Sequence, residues 1–478
     1  MSEKNAIIYR KLDWWLIGTY LFLVLFGWLN IYSALYSEEH PFIFDLSQKF
    51  GMQFIWILLS LLLSVLIIFI LNPKIYSVLS PLLYFGILLL LFAVIFLGKE
   101  INGSKSWFVI GPFSFQPAEV SKISTSLFLS YTMSKYGFKL NRIKDAIKIA
   151  FIILIPILLI IMEKETGSAL VYTGLIFVLY REGLNGWFLA FGLAIIFLFV
   201  ITLSFSPLTA FLSLLSVLII LKGFIQKRVI ENIIGGAIFI TLLSFLPQLI
   251  NIIHIPFLKT IRPEYLALII TLPFVIATYI KSIKKRLIYM RYLILSFVFS
   301  VIFIFSSNII FDKVLQPHQK ARIENLLGIQ QDLKGIGYNV HQSKIAIGSG
   351  GLFGKGFLNG TQTKFNFVPE QSTDFIFCTI GEEWGFLGCL IIVGLFVFLI
   401  SRIIIIAERQ KDNFVKIYGY CIAAIFFMHF FINIGMTIGL LPVIGIPLPF
   451  ISYGGSSLLS FTILLFIFIR LDLERWQY

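Results

Sequence analysis

Acidic residues are scarce in this 478-residue chain, and several stand where a polar stretch turns apolar. In "FVPEQSTDFIFCTIGEEWGFLG" (367–388) Pro369 breaks the chain, Ser372 or Thr373 can cap a following helix, and Asp374 falls at that helix's N-terminus. An acid in a first turn is favoured by the helix dipole, which would keep Asp374 ionised. The chemistry open to such a carboxylate is proton transfer, and the plain alternative is a cap. Glu370 is a loop residue beside a proline, either solvated or an assistant to Asp374. Glu382 and Glu383 lie near or inside a membrane edge, where acids are usually paired or functional.

A second constellation is "INGSKSWFVIGPFSFQPAEVSKI" (101–123), in which Glu119 and Lys122 share a helical face and can form an ion pair, structural or functional. At bilayer depth such a pair faces a cavity or another helix. Glu163, Lys164 and Glu165 form a tight charged link between apolar runs, most simply a solvated turn. The stretch "QSKIAIGSGGLFGKGFLNGTQ" (342–362) sets Gly348, Gly350, Gly351, Gly354, Gly356 and Gly360 close together, as a phosphate cradle would. It is no P-loop, because Ser349 and Gly356 stand where that motif needs Gly and Ser or Thr. The plain alternative is a flexible loop on the membrane. Finally, "INIGMTIGLLPVIGIPLPFISYGGSS" (432–457) interleaves prolines and glycines, which marks a non-helical wall buried in protein or lining a wet cavity.

The elements that position these residues follow from composition. The chain is 58% hydrophobic and 13% charged, with a mean hydropathy of +0.94. These values describe an all-α polytopic membrane protein. Each span needs roughly 20 apolar residues, and about fourteen candidates are present. Those at 119–134, 168–181 and 208–222 are short enough to be tilted, broken or re-entrant. With the N-terminus inside, the inner segments hold about 24 of the 38 Lys and Arg, including "KGFIQKR" (222–228) and "KSIKKRLIYMR" (281–291). The formal charge of +14 is therefore a topology signal, and no nucleic-acid partner is expected. Cys378, Cys389 and Cys421 sit in apolar runs without metal spacing, as packing residues. The largest polar stretch, 312–373, faces outward on this topology and is too glycine-rich for a mere connector.

These motifs, in this order, resemble the RodA/FtsW family of shape, elongation, division and sporulation proteins, and its RodA branch most. The matching pieces are "FQPAEVSK", "ETGSA", "GIGYNVHQSKIAIGSGGLFGKG", "FVPEQSTDFIF", "GEEWGFLG" and "GIPLPFISYGGSS", covering residues 10–205 and 289–478. The resemblance implies a family-like ten-helix core with about four inserted spans at 206–288. It divides the chain into an N-terminal transmembrane part (1–205), the insertion, a helix at 289–311, a large extracytoplasmic catalytic loop at 312–373, and a C-terminal transmembrane part (374–478). Three departures stand out. Lys164 and Glu165 replace a usual Pro-Asp, Ser106 replaces an Arg for which Lys105 would have to substitute, and Ile444 occupies a usual Thr position.

The resemblance further implies a multi-pass protein of the bacterial cytoplasmic membrane. Its implied activity is that of a peptidoglycan glycosyltransferase polymerising lipid II at the outer face, paired with a class B penicillin-binding transpeptidase within the elongation machinery. Asp374 matches the family's essential acid, and Glu119 with Lys122 a polar pair lining its cavity. In glycan polymerisation a sugar hydroxyl attacks an anomeric carbon while undecaprenyl pyrophosphate leaves. Asp374 would be the base. Glycine-loop amides (Gly348, Gly350, Gly351), Lys344, Lys355 or a divalent cation such as Mg or Mn would take the leaving charge. Gln342, Ser343, Ser452, Tyr453, Gly454 and Gly455 complete the expected substrate surface. The alternatives are a lipid II flippase, served equally by a polar cavity and broken helices, and a non-catalytic scaffold for the transpeptidase.

Overall fold

Residues 11–101, 103–110, 113–252, 262–309, 311, 317–327, 337–365 and 367–475 are described by the structure, a computed structural model. Twelve helices among them have the length and hydropathy of membrane spans. In chain order come α1 (Trp14–Ala34), α2 (Lys49–Phe69) and α3 (Lys74–Leu97), then the short strands β1 (Lys99–Ile101), β2 (Ser104–Ile110) and β3 (Phe113–Phe115), paired antiparallel in the order β1-β2-β3. Next are α4 (Pro117–Met133), α5 (Ile143–Met162), α6 (Thr166–Val171), a 3₁₀ turn at Tyr172–Gly174 and α7 (Leu175–Arg181). The next group is α8 (Trp187–Ser204), α9 (Pro207–Gln226), α10 (Val229–Ser244), α11 (Leu246–Ile252), α12 (Pro263–Lys284), α13 (Ile288–Ile309) and α14 (Pro317–Leu326). Finally come α15 (Tyr338–Ser349), α16 (Thr361–Lys364), α17 (Ile376–Glu408), α18 (Asn413–Thr437) and α19 (Gly455–Glu474).

The chain divides into two compact units, Met1–Asn185 with Leu333–Tyr478, and Gly186–Asp332. In the second unit α9, α10, α12 and α13 pack around Phe211, Leu215, Leu243, Ala267, Phe297 and Val301. The stretch read as inserted, 206–288, lies within it together with α8 and α13. The first unit carries every candidate site residue. Its centre is α18 and α19, covered on most sides by α2, α4 and α17.

The three short candidate spans resolve differently. Residues 208–222 belong to the full-length helix α9. Residues 119–134 form α4, whose Ser121, Ser124, Thr125, Ser126 and Ser130 are all buried. Small hydroxyl residues allow close helix approach, so α4 lies inside the bundle despite weak hydropathy. Residues 168–181 are broken at Tyr172–Gly174, where a Cβ on Gly174 would stand 2.3 Å from Met428 Cγ. Stretch 312–373 is not one loop. Helices α14, α15 and α16 form in it, the first in the second unit and the others in the first, while 312–316, 328–336 and 366 lie outside the described residues.

At one end of the first unit Asp13 caps α1 through Leu16 N (3.1 Å) and accepts from Arg402 Nη2 (2.7 Å), while Arg409 donates to Asp472 at 2.6 Å. This cluster ties α1, α17 and α19 together, with both carboxylates buried. Removing one partner strands a charged hydrogen bond, which costs about 1.5–3 kcal/mol. Asp13→Ala should therefore lower the thermal midpoint of the detergent-solubilised protein, whereas Lys148→Ala, removing an exposed 3.8 Å pair, should not. Equal midpoints for the two variants would contradict this.

Candidate active site

Helix α17 is interrupted at Gly385 (φ 65°, ψ −163°), which frees backbone groups that a regular helix would pair. The glycine-rich stretch pairs them instead. The amides of Lys355 and Gly356 donate to the carbonyls of Glu382 and Glu383 at 3.0 Å each, and the amides of Phe386 and Leu387 donate to the carbonyls of Gly351 and Leu352 at 2.9 and 3.1 Å. Main chain lies directly on main chain here. A Cβ on Gly350 would be 2.0 Å from Gly381 O, and one on Gly354 (φ 80°) 2.0 Å from Glu383 O. Gly350 and Gly354 serve a backbone-to-backbone joint in place of a flexible loop, and it takes up the Lys355 and Gly356 amides.

Glu382 locks this joint. Its buried carboxylate accepts from Lys355 Nζ (2.7 Å), Gln362 N (2.9 Å), Thr363 N (3.0 Å) and Thr363 Oγ1 (3.0 Å). Lys355, expected to meet the leaving pyrophosphate, is therefore held by Glu382 and Thr361. Lys344 differs: it is exposed, lies over Gly439, and has no acidic partner among the described residues. The next two residues of α17 bind α1, Glu383 through Ser33 Oγ and Trp384 Nε1 through Asn30 Oδ1 (3.2 Å).

Asp374 is not at the helix start. Helix α17 begins at Ile376 with Phe375 at its N-cap and no capping side chain, so neither Ser372 nor Thr373 caps it and Asp374 belongs to the preceding turn. The turn is fixed through its carbonyls. Ser372 O accepts from Tyr453 N (2.8 Å), Thr373 O from Ser452 Oγ (2.6 Å) and Asp374 O from Asn433 Nδ2 (2.8 Å). Ser452 Oγ also accepts from Leu448 N at 2.8 Å, and Asn433 Nδ2 donates to Ile446 O at 2.7 Å. The turn is thus bolted to the chain between α18 and α19, which is non-helical as its prolines and glycines required. A Cβ on Gly445 (φ 80°) would be 3.2 Å from Asp374 Oδ2, so the carboxylate lies on that wall. Glu370 is exposed, with φ 52°, and its carboxylate accepts from Thr373 Oγ1 at 2.9 Å.

Deeper along the same wall, Lys122 Nζ donates to Glu119 Oε1 (2.8 Å) and to His429 Nε2 (2.9 Å), all three side chains being buried. His429 Nδ1 lies 3.1 Å from Pro447 O. A carbonyl only accepts, so Nδ1 carries the proton and Nε2 is left to receive Lys122. Glu119 Oε2 has no hydrogen-bond partner. Helix α6 joins the group: Glu165 receives Ser168 Oγ, has Gln116 and Ser106 as polar neighbours, and feels the charge of Glu119. A Cβ on Gly167 would meet Ile446 and Ile444 at 3.1 and 3.2 Å. The link at 163–165 is thus no solvated turn. Burial and the Glu165 charge push Glu163 up to about 9, and burial and the Glu119 charge also raise Glu165. Lys105 does not replace the missing Arg, because its ammonium donates to Phe96 O at 3.0 Å in an exposed position.

The remaining expected residues divide between frame and surface. Ser343 Oγ donates to Thr437 O (2.9 Å), Gly454 N to Gln53 Oε1 (3.3 Å), and Gly455 lies against Trp56. Gln342 is half-buried, while Gly348 and Gly351 have open space where a side chain would stand. Asn433 and His429 were not anticipated, although as polar residues four apart in the apolar run "AIFFMHFFINIGM" they share one helix face. No group of three or more His, Cys, Asp or Glu gathers as metal ligands among the described residues.

Two substitutions test the joint. Gly354→Ala forces a Cβ into backbone at positive φ, a strain of about 1–3 kcal/mol before any clash, and should sharply reduce folded yield. Gly348→Ala, with open space around it, should leave the melting curve unchanged. A third tests Glu163, whose raised value means that folding opposes its ionisation. The folded state therefore loses stability relative to an uncharged side chain as pH rises from about 4.5 towards about 9. Glu163→Gln should gain thermal stability over wild type at pH 8 and lose that gain at pH 5. A pH-independent difference would contradict the burial of the charge.

The family profile described as a cell cycle protein, FtsW/RodA/SpoVE, matches residues 13–233 and 241–477. The chain is 30% identical over 447 residues to peptidoglycan glycosyltransferase RodA of Treponema pallidum, covering 93% of this chain and 94% of that one. Against peptidoglycan glycosyltransferase MrdB of Escherichia coli the identity is 47% over 146 residues, 30% of this chain and 40% of that one. Its fold matches a chain from the structure titled "Structural coordination of polymerization and crosslinking by a peptidoglycan synthase complex", at a TM-score of 0.63 and 22% identity over 98% of this chain and 99% of that one. It also matches the rod shape determining protein RodA of Thermus thermophilus, at 0.53 and 21% over 98% of each. With the motifs, the fold and a full-length relative in agreement, the chain belongs to the FtsW/RodA/SpoVE family of cell cycle proteins.

Proposed function

We propose that this chain is a RodA-type peptidoglycan glycosyltransferase that polymerises lipid II at the outer face of the cytoplasmic membrane, working with a class B penicillin-binding transpeptidase in cell elongation. The observation that carries the reading is the Asp374 turn, clamped through three successive carbonyls to a non-helical wall between membrane helices. A rigid carboxylate where polar and apolar segments meet suits a substrate with sugars in water and a polyprenyl tail in lipid. Asp374 takes the proton of the attacking sugar hydroxyl as undecaprenyl pyrophosphate departs. Lys344, the exposed cation over Gly439, is placed to meet the leaving charge, whereas Lys355 is held by Glu382. A divalent cation, if used, would take ligands from the pyrophosphate as well as from the protein, and would supply charge neutralisation for the leaving group.

The buried Glu119–Lys122–His429 group leaves room for a flippase reading. A translocation path, however, needs an element free to move past the substrate, and here the wall is cross-tied to α18 and to the Asp374 turn. A scaffold would tolerate loss of Asp374.

Purified wild type and Asp374→Asn, each with its transpeptidase and with crosslinking blocked by a β-lactam, should differ in lipid II polymerisation by about 100-fold or more. Lys344→Ala should retain measurable polymerisation at a rate lowered on the order of 10-fold, below the loss for a buried oxyanion donor. Wild-type glycan chains from Asp374→Asn would remove the base assignment. Chains from neither protein, despite an intact complex, would favour the flippase or scaffold.

A further inference from the structure

The second unit has a half-open cavity of about 320 Å³ between α9, α10, α12 and α13. Leu215, Leu218, Ile219, Phe239, Phe274 and Ile294 give it apolar walls. Its polar residues include Lys222, Glu231 and Asn232, set together towards one end of the helices. Glu231 does not neutralise Lys222, because its carboxylate pairs with Arg228 at 3.4 Å, and Asn232 Nδ2 donates to Arg228 O at 2.7 Å. Lys222 is half-buried, and its charged neighbour is a second cation, Lys281. Neither lysine has a carboxylate within ion-pair distance among the described residues. Two like charges beside a low-dielectric space repel each other unless an anion bridges them.

From this juxtaposition we infer that the cavity holds one acyl chain of an anionic glycerophospholipid, with its phosphate between Lys222 and Lys281. The apolar walls exclude a free polar ion as the full occupant, and the paired cations favour an anionic head over a zwitterionic one. Both lysines belong to the basic segments, 222–228 and 281–291, that the charge distribution assigns to the cytoplasmic side. Anionic lipids concentrate in that leaflet, where each nearby lysine adds favourable attraction. Gly236 lies against Ile219, with its Cβ position 2.4 Å from Cγ2, and so closes part of the wall. Gly235 lines the cavity with open space where its Cβ would stand.

The test is native mass spectrometry of the full-length protein, delipidated in mild detergent and titrated with dioleoylphosphatidylglycerol or dioleoylphosphatidylcholine. Wild type should hold its first phosphatidylglycerol about 10- to 30-fold more tightly than phosphatidylcholine. Lys222→Gln combined with Lys281→Gln should abolish that preference, and each single variant should reduce it. Gly235→Leu, which fills the cavity and keeps both charges, should weaken the first lipid of either kind, with an unchanged melting curve showing that the fold persists. Equal binding of the two lipids by wild type, or an undiminished preference in the double lysine variant, would overturn the inference. So would displacement of the bound lipid by millimolar inorganic phosphate, because the chain would then contribute nothing.

Discussion

Everything at the candidate site depends on a helix that stops being a helix. Where α17 passes Glu382–Gly385 its ladder is cut, and the glycine-rich stretch completes it with four backbone hydrogen bonds. An interrupted helix inside an apolar bundle cannot rely on water for its exposed amides and carbonyls, so the partner must be protein. That partner must be glycine at Gly350 and Gly354, because any side chain there would occupy the carbonyls it has to approach. Glu382 then draws Lys355, Gln362 and Thr363 onto the joint, which fixes the polar segment leading to the Asp374 turn. A buried carboxylate with five donors is well satisfied, and removing the lysine would leave it charged and short of a partner.

The second organising element is one face of α18. His429 and Asn433 are four residues apart and hold adjacent residues of the same wall, His429 the carbonyl of Pro447 and Asn433 that of Ile446. Asn433 also grips the Asp374 carbonyl, and His429 receives Lys122. The Asp374 turn and the Glu119–Lys122 pair therefore share a support, and a shift of the wall would reach both. This coupling is geometric, through two side chains and two consecutive carbonyls.

The sequence makes the membrane class, the family and the non-helical wall legible, because hydropathy, a strong motif pattern and Pro and Gly spacing each report locally. It makes the roles of the glycines and of Lys355 much less legible. A glycine that admits a phosphate and one that admits another backbone look alike in sequence, and only the position of Glu382 some 30 residues later separates them. The cap expected from Ser372 or Thr373 failed for a related reason: tertiary ties from Tyr453, Ser452 and Asn433 hold the turn outside the helix. Asn433 stands with His429 as a polar residue in an apolar span, but the Asp374 carbonyl it holds lies 59 residues away along the chain.

The departures from the family pattern near α6 now fit together electrostatically. An Arg at 106 would suit a charged carboxylate at 165, but this chain has Ser106 there, with Gln116 as a second polar neighbour. Both are neutral. Burial and the nearby Glu119 charge raise Glu165, so the need for a cationic partner there is smaller. Beside it the buried cluster holds one ion pair, Glu119 with Lys122 at 2.8 Å. An added arginine would leave an unmatched cation in a buried space, at a cost that neutral hydroxyl and amide donors avoid. Loss of the Arg and burial of Glu165 are thus two sides of one charge balance.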